Sequence, residues 1–127
     1  PESLDAVIIT HGSITAEAIK AKQLLALDGI NTGIVLVERL MPYSDLVNDI
    51  VDVLPTGEAK IITLEQEIKA GGFGMMVMDR LSKYDIMRNK KTAIIALEDT
   101  LADKYGSSIY SSFGLDAQSI ARKIKNI

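Results

Sequence analysis

At 127 residues and 47% hydrophobic content, the chain is long enough for one domain with a packed core. Its 14 basic and 17 acidic residues leave a net charge of −3, which argues against a general nucleic-acid or anionic-membrane surface. The lack of cysteine excludes disulfides, thiolate metal sites and a cysteine nucleophile, and the single histidine excludes a His-rich metal centre.

The chain opens with Pro rather than Met and runs almost at once into an apolar segment, so it reads as a piece of a larger protein. That segment, Ala6–Thr10, is continuously apolar, as expected of a strand buried on both faces. Gly12-Ser13 follows, and a helix starts near Ser13 or Thr15, either of which can cap it. Ile14, Ala18, Ala21 and Leu25 recur at helical spacing until Gly29 stops the helix. Residues 32–37 (TGIVLV) form the second strand. After Pro42, Ser44 can cap a second helix with Val47, Ile50, Val51 and Leu54 on its inner face. Pro55-Thr56-Gly57 is a turn. The third strand covers 60–64, and a glycine turn then launches a third helix over 75–83. Residues 92–97 (TAIIAL) are the fourth strand. An irregular helical stretch follows, and Asp116 caps a last helix with Ala117, Ile120, Ala121 and Ile124 inside. Arg122, Lys123 and Lys125 sit in its last turn, where they favour the helix dipole.

Short apolar strands alternating with helices predict a three-layer α/β/α sandwich around a mainly parallel sheet of four or five strands, in a single domain spanning 1–127. No apolar run reaches membrane-spanning length and the N-terminus lacks a basic leader, so a cytoplasmic protein is expected, with no nucleic-acid and no membrane partner.

In open parallel sheets, ligands gather beyond the carboxyl ends of the strands. There the first strand delivers His11, Gly12 and Ser13. The second delivers Glu38 and Arg39, the third Glu65 and Glu67, the fourth Glu98 and Asp99. Each has two readings. His11 is a general base only with a partner in hydrogen-bond reach, and otherwise a structural or interface residue. Gly12-Ser13 can hold an anion on free backbone N–H groups or simply start a helix; neither GxGxxG nor GxxxxGK[ST] is present. The carboxylates can bind a hard cation or cap the next turn. Gly71, Gly72 and Gly74, around Phe73, can admit a phosphate to the backbone or let a helix lie tightly on the sheet. The apolar Met75, Met76, Val77, Met78 and Leu81 that follow predict a helix with a neighbour on a second side.

DAVIITHGS (5–13), VERLMP (37–42), TLEQEIKAGGFG (63–74), ALEDTLADKYGSS (96–108) and FGLDAQSIARKI (113–124) resemble, in order and spacing over almost the whole chain, the C-terminal domain of the transketolase superfamily. Within it the likeness is greatest to the last domain of the 1-deoxy-D-xylulose-5-phosphate synthases, on the strength of the Gly114-Leu115-Asp116 tail and the Glu65–Gly74 segment. The chain departs from the family pattern at His11, at Ser44, at Gln66 between two glutamates, and at Tyr105-Gly106 in place of His-Gly.

The resemblance implies an enzyme that uses thiamine diphosphate and Mg2+ to join a two-carbon unit from pyruvate to glyceraldehyde 3-phosphate. It also implies that the cofactor is held by a pyrimidine-binding and a diphosphate-binding domain, neither of which is in this chain. The domain itself is then expected to carry no catalytic, cofactor or metal residue and to act in assembly, within a homodimeric enzyme. His11, Gly12, Ser13, Arg39, Glu65, Gly71, Gly72, Phe73 and Gly74 are the candidate interface or anion contacts, with Arg39 in a salt bridge or cap. The other readings are a stand-alone regulatory or small-anion-binding module, the last domain of another transketolase or of a 2-oxoacid dehydrogenase beta subunit, and a small enzyme built on His11.

Overall fold

The structure, a computed structural model, describes residues 3–38, 43–97 and 114–127. In chain order they form β1 (Ala6–Thr10), α1 (Thr15–Leu27), β2 (Thr32–Leu36), α2 (Tyr43–Val53), β3 (Lys60–Ile68), α3 (Phe73–Leu81), β4 (Lys91–Leu97) and α4 (Ala117–Lys125). The four strands pair in the order β2-β1-β3-β4, every pair parallel. Ile8 lies between Ile34 on one side and Ile62 on the other.

Strand alternation sorts the core into two layers. Ala6, Ile8, Ile62 and Leu64 face α1 and α4, where they meet Ile14, Ala18, Leu25, Ile120 and Ile124. Val7, Ile9 and Ile61 face α2 and α3, against Val47, Ile50, Val77 and Leu81. Both faces of the sheet are covered, which explains the uninterrupted apolar run of β1, buried at all five positions. The expected three-layer α/β/α sandwich is therefore observed.

Most expected boundaries hold, and four need correction. Gly29, at φ +78, ends α1: its N–H donates to the carbonyl of Ala26, and that of Ile30 reaches back to Leu25, the paired closure that a left-handed glycine allows. Neither Ser13 nor Thr15 caps α1, which grows from a 3-10 turn, Gly12–Ile14, with no side-chain cap. The Thr15 hydroxyl donates instead to the Gly12 carbonyl at 2.7 Å, and the Ser13 hydroxyl to Gln66 Oε1 at 3.0 Å. Helix α2 begins at Tyr43, so Ser44 lies inside its first turn. Strand β3 runs four residues past its expected end: Leu64 pairs with Ile95 and Ile68 with Leu97, so three residues of β3 face one of β4. This bulge absorbs Glu65, Gln66 and Glu67 into the strand. Helix α3 starts at Phe73 rather than Met75, because the glycine turn is shorter than the glycine count suggests. The irregular stretch expected after β4 lies outside the described residues.

Candidate functional site

The ends of β1 and β3 lie side by side. Thr10 pairs with Leu64, so His11 and Glu65 follow at neighbouring positions, on the face that the first turn of α3 covers. The turn itself is built by two glycines with different jobs. Gly71 takes φ +71 and has nothing near its missing side chain; it supplies a backbone angle that L residues disfavour. Gly74 supplies space. A Cβ there would stand 2.4 Å from Thr63 Oγ1, 2.7 Å from Glu65 Oε2 and 2.7 Å from Ile94 Cγ2. The two readings of the glycine segment are thus resolved at Gly74 in favour of close helix–sheet packing.

Gly72 holds the N-cap position of α3 and brings no side chain. The cap comes from the strand: the Gly74 N–H donates to Glu65 Oε2 at 2.5 Å. Glu65 is wholly buried. Burial raises its carboxyl, the amide of Gly74 opposes that, the Glu67 charge adds to it and the amide of Phe73 opposes it; the balance pushes the pKa up to about 7. Taking an unpaired carboxylate out of water costs on the order of several kcal/mol. A hydrogen bond to a charged group returns about 1.5–3 kcal/mol, which explains why the two amides do not restore an ordinary acidity. Glu65 has no exposed surface in this domain.

His11 does find a carboxylate, though not an aligned one. Its Nε2 stands 3.5 Å from Glu67 Oε1 without completing a hydrogen bond, and its ring tilts against Phe73 at a centroid distance of 4.6 Å. Sequence separation hid both contacts. Ser13 is tied to Gln66 and Gly12 lies beneath it, the amide of Gln66 being 3.9 Å from a Gly12 Cβ. The structure therefore gathers His11, Gly12, Ser13, Glu65, Gly72, Phe73 and Gly74 at one edge. Glu38 is exposed beyond β2. Arg39, Glu98 and Asp99 lie outside the described residues. Among the described residues no group of three His, Asp or Glu is placed to hold a metal ion, and no helix is long and apolar enough to cross a membrane.

Thr63 was missed by sequence reasoning. Its hydroxyl is buried with no partner, on the same face as Glu65. The signal was present: a hydroxyl and a carboxylate two apart in an apolar strand share a face.

On α3, Phe73, Gly74, Val77 and Leu81 are buried, whereas Met75 is 47% exposed. The helix buries one stripe on the sheet and leaves an apolar residue outside, its sulfur accepting from the Gly71 amide at 3.3 Å.

The family model described as the transketolase C-terminal domain matches residues 1–120. The 1-deoxy-D-xylulose-5-phosphate synthase of Chlorobium phaeovibrioides is 36% identical over 128 residues, covering 98% of this chain and 19% of that protein. The synthase of Rhodobacter capsulatus is 32% identical over 122 residues, covering 94% and 18%. A transketolase from Pichia stipitis, solved with xylulose 5-phosphate, superposes with a TM-score of 0.64 at 20% identity, over 99% of this chain and 16% of that one; at that identity the likeness speaks to the fold. The chain spans about a fifth of the length of the curated relatives it matches.

Proposed function

The chain belongs to the transketolase C-terminal domain family, and on that premise we propose that it is the assembly domain of a 1-deoxy-D-xylulose-5-phosphate synthase. The carrying observation is the match to synthases along nearly the whole chain but only about a fifth of their length. In this reading the complete enzyme joins two carbons of pyruvate to glyceraldehyde 3-phosphate with loss of carbon dioxide. Thiamine diphosphate would supply the carbanion chemistry and Mg2+ would hold its diphosphate, both on polypeptide outside this chain. In this reading none of the described residues holds that cofactor. The Gly74 amide at the head of α3 is already used by Glu65, and among the described residues no three His, Asp or Glu side chains gather.

The edge formed by His11, over the buried Phe73, together with exposed Met75 and the Ser13–Gln66 pair, is the surface proposed to receive the pyrimidine-binding domain, within a homodimeric cytoplasmic enzyme. An exposed thioether suits such a contact.

The test is reconstitution. The purified chain, mixed with the remaining four-fifths of a synthase, is expected to bind it in calorimetry and to restore turnover of pyruvate and glyceraldehyde 3-phosphate. Alone, with thiamine diphosphate and Mg2+, it is expected to be inert. No association at high micromolar concentration, or turnover by the chain alone, would overturn the reading.

A further inference from the structure

The carboxyl beneath the first turn of α3 has an incomplete set of partners. One oxygen of Glu65 accepts from Gly74. The other, Oε1, is buried and meets no donor among the described residues, and the same holds for Thr63 Oγ1 on the same strand face. Both side chains crowd the Cα of Gly74. Among the described residues no cation faces the group. From β1 comes His11, whose Nε2 lies against Glu67 instead. From β3 comes Glu67 itself, a like charge. Residues 73–78 of α3 and 93–97 of β4 bring no charged side chain at all. An ionised Glu65 would have two amides and the positive end of α3 in its favour, against full burial, one unmet oxygen and the neighbouring Glu67. A carboxylic acid held neutral removes the charge from the buried site and its repulsion by Glu67, and leaves the second oxygen with the smaller cost of an unpaired neutral group.

We propose that the first turn of α3 closes over a protonated Glu65, and that opening this turn releases the proton, so that the start of α3 is a pH-sensitive latch. The acidity agrees with the geometry: burial foremost holds the carboxyl at about 7 when the turn is closed, against 4.5 for a solvated glutamate. Between those limits the closed state keeps a proton that the open state loses, so closure weakens as pH rises and levels off above the upper limit. The latch sits under Phe73, the ring that His11 touches, so the edge of the domain rests on it. It is a property of the chain itself and stands whether or not the assembly reading does.

The experiment is a carbon-13 titration of the Glu65 carboxyl in the chain, with amide exchange of Phe73 and Gly74 followed over the same pH range. The carboxyl midpoint is expected near neutrality. Amide protection, corrected for intrinsic base catalysis, is expected to fall by about tenfold per pH unit as pH rises from about 4.5 to that midpoint and to level off above it. Glu65→Gln should abolish this dependence and His11→Asn should leave it. A carboxyl midpoint near 4.5 would sink the proposal, as would a profile that survives Glu65→Gln or disappears in His11→Asn. If Glu65→Gln fails to fold, the carboxyl titration of the unaltered chain decides alone.

Discussion

Two helix starts in this molecule use the same device in opposite surroundings. At α4, Asp116 occupies the N-cap position itself, with extended backbone, and accepts from the Ser119 amide at 3.3 Å and the Ser119 hydroxyl at 2.6 Å. At α3 the cap position is an empty-handed glycine, and the carboxylate arrives from a strand nine residues earlier in the chain. Burial is the largest single influence on both groups and raises both. At Asp116 the bonds to Ser119 and the Arg122 charge more than offset it, and the carboxyl is lowered. At Glu65 burial wins and Glu67 reinforces it. An amide donor at a helix start therefore does not decide whether a capping carboxylate is comfortable. Its second oxygen and its access to water decide that.

The comparison breaks most visibly at Gly74. Gly74→Ala would drive a methyl into Thr63, Glu65 and Ile94, and overpacking of that kind costs about 1–3 kcal/mol. The upper end is expected in urea melts, because the β3 backbone beneath the helix is fixed by strands on both sides. Gly71→Ala meets no atoms and loses only about 1 kcal/mol to its positive φ. If the two variants lose equal stability, close packing is not what Gly74 provides.

Exchanging each carboxylate for its amide tests the opposite signs. Glu65 is raised on folding, so its contribution is unfavourable once pH exceeds the solvated value and is fully expressed above about 7. Glu65→Gln is accordingly expected to stabilise the chain by about 1–2 kcal/mol at pH 8 and to have little effect at pH 4. Asp116 is lowered, so its contribution is present above the solvated value and is lost as pH falls through the folded one. Asp116→Ala should cost about 1 kcal/mol at pH 7 and progressively less in acid. Chemical melts of the two variants at both pH values read the crossing directly. Parallel rather than crossing profiles would show that the two caps are equivalent after all.

The contrast also explains what was legible in the sequence. The cap at α4 is local: Asp116 and Ser119 stand three apart before an apolar periodic run, a pattern that reads directly as a helix start. The buried run of β1, the Gly29 stop and the inner face of α4 are equally local, and they predict the three-layer fold. The α3 start is not local. Its carboxylate and its first amide are joined only because β3 continues through a bulge, and nothing in residues 60–68 announces that extra length. The Ser13 and Thr15 caps failed for a related reason. Gly12 at φ +78 turns the chain into a 3-10 turn first, and this frees Ser13 to reach Gln66 across the sheet. Contacts of His11 with Glu67 and Phe73 likewise span more than fifty residues, and only strand order brings them together. His11 and Glu65 could be listed from strand ends and Gly72, Phe73 and Gly74 from the glycine turn; Thr63 and the wiring between them needed the register.

The smallest expected effect lies at the rim of the better-solvated cap. Lys123 donates to the Gly114 carbonyl at 3.1 Å, from an exposed position just ahead of Asp116. Water can replace that ammonium without leaving a buried acceptor, and a substitution of this kind shifts stability by no more than about 0.5 kcal/mol. Lys123→Met is therefore expected to leave the urea midpoint almost unchanged, and to leave the acid sensitivity of Asp116 intact because Arg122, not Lys123, is the charge that supports it. A loss as large as that of Asp116→Ala would mean that the α4 start depends on tertiary partners as the α3 start does, and the distinction between a local cap and a borrowed one would fail at its simpler end.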